Sequence, residues 1–173
     1  MPLTVLLGGA RSGKSSLAVA RAQALDAPVV FIATAEALDT EMEERVARHR
    51  GERDAAWTTV EEPLHPERAL AEVPAEACAI LDCLSLWVAN LVQRDVSEEE
   101  IARRSRQAAA NAAARPGLTI AVSNEVGMGV VPEFELGRRY RDTLGRVNAA
   151  WAQQADEALL VVAGRTLKLE AVR

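Results

Sequence analysis

The sequence has few of the features that mark disulfide-rich, metal-binding or membrane proteins. It holds two cysteines, Cys78 and Cys83, and their odd spacing along one predicted strand puts them on opposite faces, which argues against a disulfide between them. It has no C-x-x-C pair and no His/Cys cluster with metal-ligand spacing. It also lacks a leader-like N-terminus and an apolar run of membrane-spanning length, so we expect a cytoplasmic protein without membrane insertion.

Basic residues are not in excess either. The chain has 20 Lys and Arg against 25 Asp and Glu, and its formal net charge of -5 argues against nucleic-acid binding and against anionic membranes as partners. Hydrophobic residues make up 49% of the 173 residues, which disfavours disorder and is enough for a substantial core. These figures predict one folded domain over residues 1–173.

The segment 8–15 carries a phosphate-binding loop, or P-loop. It fits the pattern G-x-x-x-x-G-K-[ST], and an apolar run precedes it while a helical pattern follows it, a context that disfavours an ordinary glycine turn. Converging backbone N–H groups and the helix dipole favour an anion there. We expect Lys14 to reach the β- and γ-phosphates of a nucleotide and Ser15 to ligate Mg²⁺. The predicted nucleotide-binding residues of this loop are Gly8, Gly9, Ala10, Arg11, Ser12, Gly13, Lys14 and Ser15.

Strands and helices alternate along the chain. Apolar runs predict strands at 4–7, 29–33, 57–60, 79–81, 119–123, 158–163 and 166–169, and the pairs Thr40/Glu43 and Ser97/Glu100 predict helix starts. The alternation predicts an α/β fold of the P-loop NTPase (RecA-like) class, with a mainly parallel sheet flanked by helices and an antiparallel hairpin at the C-terminal end. We expect the helix after Ser97 to lie on the surface with little chemistry.

Polar residues just after the strands are candidates for chemistry, because ligands of open α/β sheets bind beyond the carboxyl ends of the strands. Asp82 follows one predicted strand, where it either holds Mg²⁺ together with Ser15 or caps the helix that begins near Leu84. Glu61 and Glu62 follow another strand, where they either orient a ligand or are solvated loop acids.

His49 lies in the arginine-rich stretch 45–53. Such a cluster suits a polyphosphate, and it favours the neutral, nucleophilic form of the imidazole. The helical spacing of Met42, Val46 and His49 also fits a histidine at the edge of the core, and the pattern alone favours that interpretation.

The stretch 123–132 is long and apolar, with two glycines and no charge after Glu125. We expect it to overhang the phosphate site as a lid, whereas the alternative is a plain connection between a strand and a helix. The predicted lid or substrate residues are Asn124, Glu125, Gly127, Met128 and Gly129.

Taken in order, these segments resemble one known family, the bifunctional adenosylcobinamide kinase / adenosylcobinamide-phosphate guanylyltransferases. The resemblance runs from residue 3 to about residue 169, and its most specific part is Asn-Glu-Val-Gly-Met-Gly at 124–129. The other segments that carry it are 8–15, 32–35, Glu41-Met42 with Arg45 and His49, Trp57-x-Thr59-x-Glu61, and Asp82-Cys83-Leu84.

The resemblance implies two reactions of cobalamin biosynthesis. ATP or GTP first phosphorylates the aminopropanol hydroxyl of adenosylcobinamide, and GTP then transfers GMP to adenosylcobinamide phosphate through a GMP-histidine intermediate. The family's histidine aligns with His49, which reverses the interpretation drawn from the pattern alone. The resemblance also implies a homotrimer with sites near subunit interfaces. The further nucleotide contacts that it implies are Ala33, Thr34, Ala35, Arg50, Gly51, Glu52, Arg53, Glu61 and Asp82.

Two other functions stay open at this stage. One is a P-loop kinase with a single activity, in which His49 is structural, and the other is a nucleotide-dependent switch or ATPase module that acts on a partner. The guanine-reading sequence Asn-Lys-x-Asp is absent, and Asp82 is followed by Cys-Leu-Ser, so the sequence does not resemble a GTPase switch.

Overall fold

A seven-stranded sheet organises the part of the chain that the computed structural model describes, residues 2–36 and 54–172. The strands are β1 (Leu3–Gly8), β2 (Val29–Ala33), β3 (Thr58–Glu61), β4 (Cys78–Asp82), β5 (Thr119–Asn124), β6 (Glu157–Val162) and β7 (Arg165–Lys168). The helices in these ranges are α1 (Lys14–Gln23), α2 (Pro66–Glu72), α3 (Leu84–Gln93), α4 (Glu98–Ala114) and α5 (Glu135–Gln154). The helix start predicted at Thr40/Glu43 lies outside the described residues.

The strands lie in the order β3-β2-β4-β5-β1-β6-β7. Neighbouring strands pair in parallel, except that β6 and β7 form an antiparallel hairpin. The predicted fold class is therefore confirmed. The hairpin turn consists of Ala163 and Gly164, with φ of 50° and 73°, one residue before the predicted Gly164-Arg165. Positive φ at both central residues matches the twist of a hairpin.

Both faces of the sheet are buried, as the continuous apolar runs predict. In β1, Leu3, Val5 and Leu7 face one core cluster and Leu6 faces the other, because successive side chains of a strand point to opposite faces. The first cluster contains residues of α2, α3, α4 and α5, and the second contains residues of α1. Parallel strands with helices on both faces leave the carboxyl ends of the strands as the edge where a site can form.

The helix after Ser97 begins as predicted but is not a plain surface helix. The Ser97 hydroxyl accepts a hydrogen bond from the Glu100 N–H at 3.3 Å, whereas the Glu100 carboxylate accepts from Arg103 and Arg104 instead of completing the capping box. One face of α4 is buried along a stripe of mostly small side chains, namely Ile101, Ser105, Ala108, Ala109 and Ala112. Small residues let α4 pack closely, and this stripe explains the alanine-rich composition.

The two cysteines are free and buried, so the absence of a disulfide between them is confirmed. The reason given from the sequence is wrong, however, because Cys78 and Cys83 belong to the same core cluster, on the α1 side of the sheet. The strand β4 ends at Asp82, so the alternation of faces does not extend to Cys83. Burial raises the pKa of each thiol to about 11. Among the described helices, none has the length and apolar character needed to cross a membrane.

Candidate active site

The P-loop joins β1 to α1 and depends on two glycines with positive φ. Gly8 has a φ of 153° and Gly13 a φ of 102°, values that L side chains rarely adopt. A Cβ at Gly8 would lie 2.2 Å from the Val161 carbonyl oxygen of β6, whereas a Cβ at Gly9 would meet nothing within 4 Å. The first glycine of the motif is thus required by the neighbouring strand as well as by the turn.

Lys14 lies inside the loop. The residue is only 7% exposed. Its Nζ donates to the Gly9 carbonyl at 2.6 Å and to the Ser12 hydroxyl at 3.4 Å. Burial lowers the pKa of Lys14 from its ordinary value, and the charges of Cys83 and Asp82 act in the opposite direction. The ammonium therefore lies against the loop, where a bound phosphate would compete for its protons.

The β6–β7 turn braces the P-loop from one side. The Gly164 N–H donates to the Ser12 carbonyl at 2.9 Å, and a Cβ at Gly13 would lie 3.5 Å from the Gly164 Cα. Sequence reasoning identified the hairpin but not this contact. No local pattern reveals it, since the two segments are separated by about the whole length of the chain.

The strand β5 lies between the P-loop strand and the strand that carries Asp82. Asn124 pairs with Gly8 in the ladder, and the Glu125 N–H donates to the Gly8 carbonyl at 3.1 Å. The prediction placed Asn124 in the loop after this strand, but Asn124 is the last residue of β5, so that assignment is wrong. Its position beside the P-loop keeps it at the candidate site.

Asn148 of α5 is a residue that sequence reasoning missed. It is buried, and its Oδ1 accepts from the Ser123 hydroxyl at 2.6 Å while its Nδ2 donates to the Asn124 carbonyl at 3.0 Å. These bonds fix the carboxyl end of β5 against the helix. The signal in the sequence was an asparagine at helical spacing from Leu144 and Trp151, which places a polar group on an apolar face.

Asp82 ends β4 at the same edge as the P-loop. It is half-buried and pairs with Ala33 on one side and Val122 on the other. The alternative that Asp82 caps the next helix is wrong, since α3 begins at Leu84 and its N-cap is Cys83. The carboxylate side chain is therefore at the strand end, where the sequence predicted a metal or nucleotide contact.

Thr34 holds the connection after Asp82 in place. Its buried hydroxyl donates to the Cys83 carbonyl at 2.7 Å and accepts from the Cys83 N–H at 2.8 Å, and its own N–H donates to the Asp82 carbonyl. Asn90 of α3, also buried, donates to the Thr34 carbonyl at 2.8 Å. Thr34 thus links the ends of β2 and β4, and its predicted nucleotide contact stays a prediction.

The neighbouring acids differ in their surroundings. Glu61 is exposed at the end of β3, where it pairs with Ala33 in the ladder. Glu62 instead accepts hydrogen bonds from the N–H groups of Leu64 and His65 at 3.0 and 2.8 Å, and so shapes the turn before α2. Of the two acids, Glu61 remains a candidate ligand, and Glu62 has a structural role.

The loop after β5 exposes a large apolar surface. Met128 is 78% exposed, Val130 95% and Phe134 80%, and Val131 and Leu136 are also exposed. Glu125 accepts from the Gly127 N–H at 2.6 Å, and Arg138 donates to the carbonyls of Pro132 and Glu133, so the backbone of the loop is held from both ends. We call the exposed apolar side chains of this stretch the apolar loop surface, namely Met128, Val130, Val131, Phe134 and Leu136.

Ser15 and Asp82 are a donor set that suits Mg²⁺. Among the described residues, no group of three or more His, Cys, Asp or Glu side chains is arranged to hold a metal by itself. Mg²⁺ commonly takes one or two protein oxygens and completes its shell with water and phosphate oxygens. A hydroxyl in the first turn of α1 and a carboxylate at the end of β4 fit that requirement.

Part of the predicted site lies outside the described residues. His49, Arg50, Gly51, Glu52 and Arg53 belong to this part, which falls in the sequence between β2 and β3. The other predicted contacts lie together at one edge of the sheet, at the carboxyl ends of β2, β3 and β4. They are Ala33, Thr34, Ala35, Glu61 and Asp82.

Comparisons with known proteins identify relatives across almost the whole chain. The family described as CobU, cobinamide kinase / cobinamide phosphate guanyltransferase, matches residues 4–169. The bifunctional adenosylcobalamin biosynthesis protein CobP of Pseudomonas aeruginosa is 43% identical over 168 residues, which are 96% of each chain. The protein CobU of Salmonella typhimurium, with the same description, is 38% identical over 97% of this chain and 99% of its own. CobU of Escherichia coli is 36% identical over the same shares.

Three solved structures have a similar fold. A structural-genomics protein of Pyrococcus horikoshii has a TM-score of 0.61 at 8% identity, covering 99% of this chain and 87% of its own. An ATPase of a bacterial type III secretion system has a TM-score of 0.56 at 9% identity, covering 96% and 56%. The RadB recombinase has a TM-score of 0.52 at 16% identity, covering 91% and 73%. These likenesses show the fold alone.

The family match covers nearly the full length of the chain, and it includes the P-loop and Asp82, which lie at the same edge of the sheet. This match shows that the chain belongs to the cobinamide kinase / cobinamide phosphate guanyltransferase family.

Proposed function

We propose that this chain phosphorylates adenosylcobinamide and then converts adenosylcobinamide phosphate to adenosylcobinamide-GDP. The observation that carries the proposal is the family match over residues 4–169, which includes every segment of the candidate site. One P-loop domain over residues 1–173 would serve both reactions. The described geometry supports this assignment because the loop, the buried Lys14 and Asp82 all lie at one edge of one sheet.

The sheet order suggests how GTP lies along this edge. Gly8 and Asp82 end strands two positions apart, a separation of about 10 Å, and Glu61 is four positions from Gly8, about 19 Å. An extended nucleoside triphosphate is of comparable length. With its terminal phosphates in the P-loop and its guanosine near β2 and β3, the α-phosphate would lie over the ends of β5 and β4.

The kinase step needs positioning and charge stabilisation more than covalent chemistry. The acceptor hydroxyl of adenosylcobinamide attacks the γ-phosphorus, the bond from that phosphorus to the β–γ bridging oxygen breaks, and the nucleoside diphosphate leaves, while the hydroxyl proton passes to a phosphate oxygen or to water. Lys14 and the N–H groups of the loop stabilise the charge that moves to the leaving oxygens. Bound Mg²⁺, held by Ser15 and Asp82, would supply further charge neutralisation on the phosphate oxygens.

The guanylyl transfer proceeds in two displacements. An imidazole nitrogen of His49 attacks the α-phosphorus of GTP, the α–β phosphoanhydride bond breaks, and pyrophosphate leaves from the P-loop, where Lys14 stabilises its charge. A phosphate oxygen of adenosylcobinamide phosphate then attacks the same phosphorus, the nitrogen–phosphorus bond breaks, and the imidazole is regenerated. Each displacement needs the nucleophile in line with the leaving group.

The apolar loop surface is the proposed contact for the corrinoid substrate. It adjoins the P-loop through the bond between Glu125 and Gly8, and exposed apolar patches commonly mark binding surfaces. Closure of this loop over the phosphates would exclude water from the reacting groups. A homotrimer with shared sites, a cytoplasmic location and the absence of a nucleic-acid partner belong to the same proposal.

Labelling with GTP that carries radioactive phosphorus at the α-position tests the function. We expect an acid-labile, base-stable label on the wild-type protein and none on His49→Ala. The chain has 2 histidines, so His65→Ala is the matched control and should be labelled like the wild type. His65 lies before α2 and contacts Glu67.

Three other outcomes would contradict parts of the proposal. A label that persists in His49→Ala would overturn the role of His49. Phosphorylation of cobinamide without any protein label would favour a kinase with a single activity. Nucleotide hydrolysis without turnover of cobinamide would favour a switch or ATPase module.

A further inference from the structure

The β6–β7 turn contacts the P-loop on one side. It is not among the short segments on which the family resemblance was based in the sequence. Three contacts join the two: the Val161 carbonyl lies where a Cβ of Gly8 would be, the Gly164 N–H donates to the Ser12 carbonyl at 2.9 Å, and Gly164 packs against Gly13. Gly164 of the turn therefore lies against the fifth and sixth residues of the loop, and Val161 of β6 lies against the first. A segment so close to the anion nest is within reach of a bound polyphosphate.

The turn lies on the side of the P-loop away from Asp82. In the sheet order, β5 and β4 follow β1 on one side, and β6 and β7 follow it on the other. Phosphates coordinated through Asp82 extend toward β4, so the opposite end of the triphosphate extends toward β6. With the terminal phosphates in the P-loop, as proposed above, the end of the phosphate chain away from Asp82 lies on the β6 side of the loop.

Arg165 begins β7 immediately after the turn. It is exposed, and among the described residues its guanidinium has no hydrogen bond or ion pair. Several arginines of α5 are engaged instead: Arg138 binds the carbonyls of the loop after β5, Arg139 pairs with Asp95, and Arg146 pairs with Glu98. A guanidinium without a partner among the described residues, two residues from Ala163 in a turn that contacts the P-loop, is free to bind phosphate oxygens.

We propose that Arg165 binds the phosphate oxygens on the β6 side of the P-loop, with the Ala163–Gly164 turn fixing its distance from the loop. The chemical class of the ligand is a polyphosphate, whether as a nucleoside triphosphate or as the pyrophosphate that leaves. The role of Arg165 in catalysis rests on the proposed function. Its role in binding does not, because binding of a polyphosphate can be measured without cobinamide.

Calorimetric titration with ATP and with inorganic tripolyphosphate, each with Mg²⁺, tests this assignment. We expect Arg165→Ala to weaken both ligands about tenfold, because a charged hydrogen bond to phosphate is lost. Arg165→Lys should recover part of the loss, since lysine keeps the charge without the planar fork. The control is Lys168→Ala, which removes an exposed cation from the same strand and should leave both affinities unchanged. Thermal melts of all three variants verify that they fold.

Two results would overturn the assignment. Unchanged affinities in Arg165→Ala would mean that the guanidinium does not touch the ligand. A loss for ATP but not for tripolyphosphate would mean that Arg165 contacts the base or the ribose instead of the phosphates. A wild-type protein that binds ATP but does not turn over cobinamide would refute the proposed function and leave this test intact, because the test reads binding alone.

Discussion

The P-loop and the apolar loop surface are neighbours at one sheet edge, but they are built in opposite ways. The backbone of the P-loop is held by protein at three points: Lys14 bonds to Gly9, Gly164 bonds to Ser12, and β6 lies against Gly8. In the part of the chain that the structure describes, the loop after β5 is held near its ends by hydrogen bonds of Glu125 and Arg138, and its apolar side chains from Met128 to Phe134 are exposed.

The difference separates the two tasks of the site. Phosphates are small and strongly charged, and converging N–H groups and a fixed ammonium bind them best when their geometry is set beforehand. A large apolar acceptor is bound through area, and an exposed surface can be covered by the acceptor or can close on it. We therefore expect substitutions in the P-loop to affect every nucleotide reaction and substitutions in the loop to affect the acceptor alone.

The largest effect is expected for Lys14→Ala. It should lower kcat/KM of both reactions about 100- to 1,000-fold, since the charge that stabilises the leaving phosphates is removed. The free energy of unfolding should change little, because the cost of burying the ammonium offsets the hydrogen bonds that it makes. Steady-state rates and urea unfolding measure the two effects.

Lys14→Met is the matched variant for this prediction, since it keeps the length of the side chain and removes the charge. It should lose activity to a similar degree. Guanylyl transfer at the wild-type rate in either variant would mean that the chain has a second, independent triphosphate site.

The next effect is expected from a pair of glycines in the P-loop. Gly8→Ala should destabilise the fold by about 2–4 kcal/mol and weaken nucleotide binding, because the new Cβ would collide with the Val161 carbonyl and the φ is unsuited to alanine. Gly9→Ala should change stability by less than about 0.5 kcal/mol, since its Cβ would meet nothing within 4 Å. Equal losses in the two variants, measured by urea unfolding, would refute the close approach of β6.

The smallest effect is expected in the apolar loop surface. Phe134→Ser and Met128→Ser should each raise the KM for cobinamide about fivefold to tenfold and leave the KM for the nucleotide unchanged, because only apolar contact area is lost. Val172→Ser is the control, since Val172 is fully exposed elsewhere on the molecule. An unchanged KM for cobinamide with a shift in sedimentation would mean that this surface contacts another copy of the chain instead.

The parts of this fold that could be predicted from the sequence depend on neighbours along the chain. Local patterns predicted the P-loop between a strand and a helix, the apolar strands and the Ser97 cap. The structure has each of them at or within a few residues of the predicted position. The misses involve the exact end of a strand and contacts between distant segments. Cys78 and Cys83 share a cluster because β4 ends at Asp82, and the buried stripe of α4 faces neighbours that composition does not reveal.

The sequence by itself determined that a triphosphate site exists, since the glycines, Lys14 and Ser15 of the P-loop are consecutive and shape the anion nest through their own backbone. Only the tertiary structure decided what surrounds it. Pairing between strands distant in sequence places β5 between Gly8 and Asp82, brings Asn148 to the end of β5, and sets the β6–β7 turn against Ser12. Such pairings depend on the packing of the whole sheet, which no local pattern encodes.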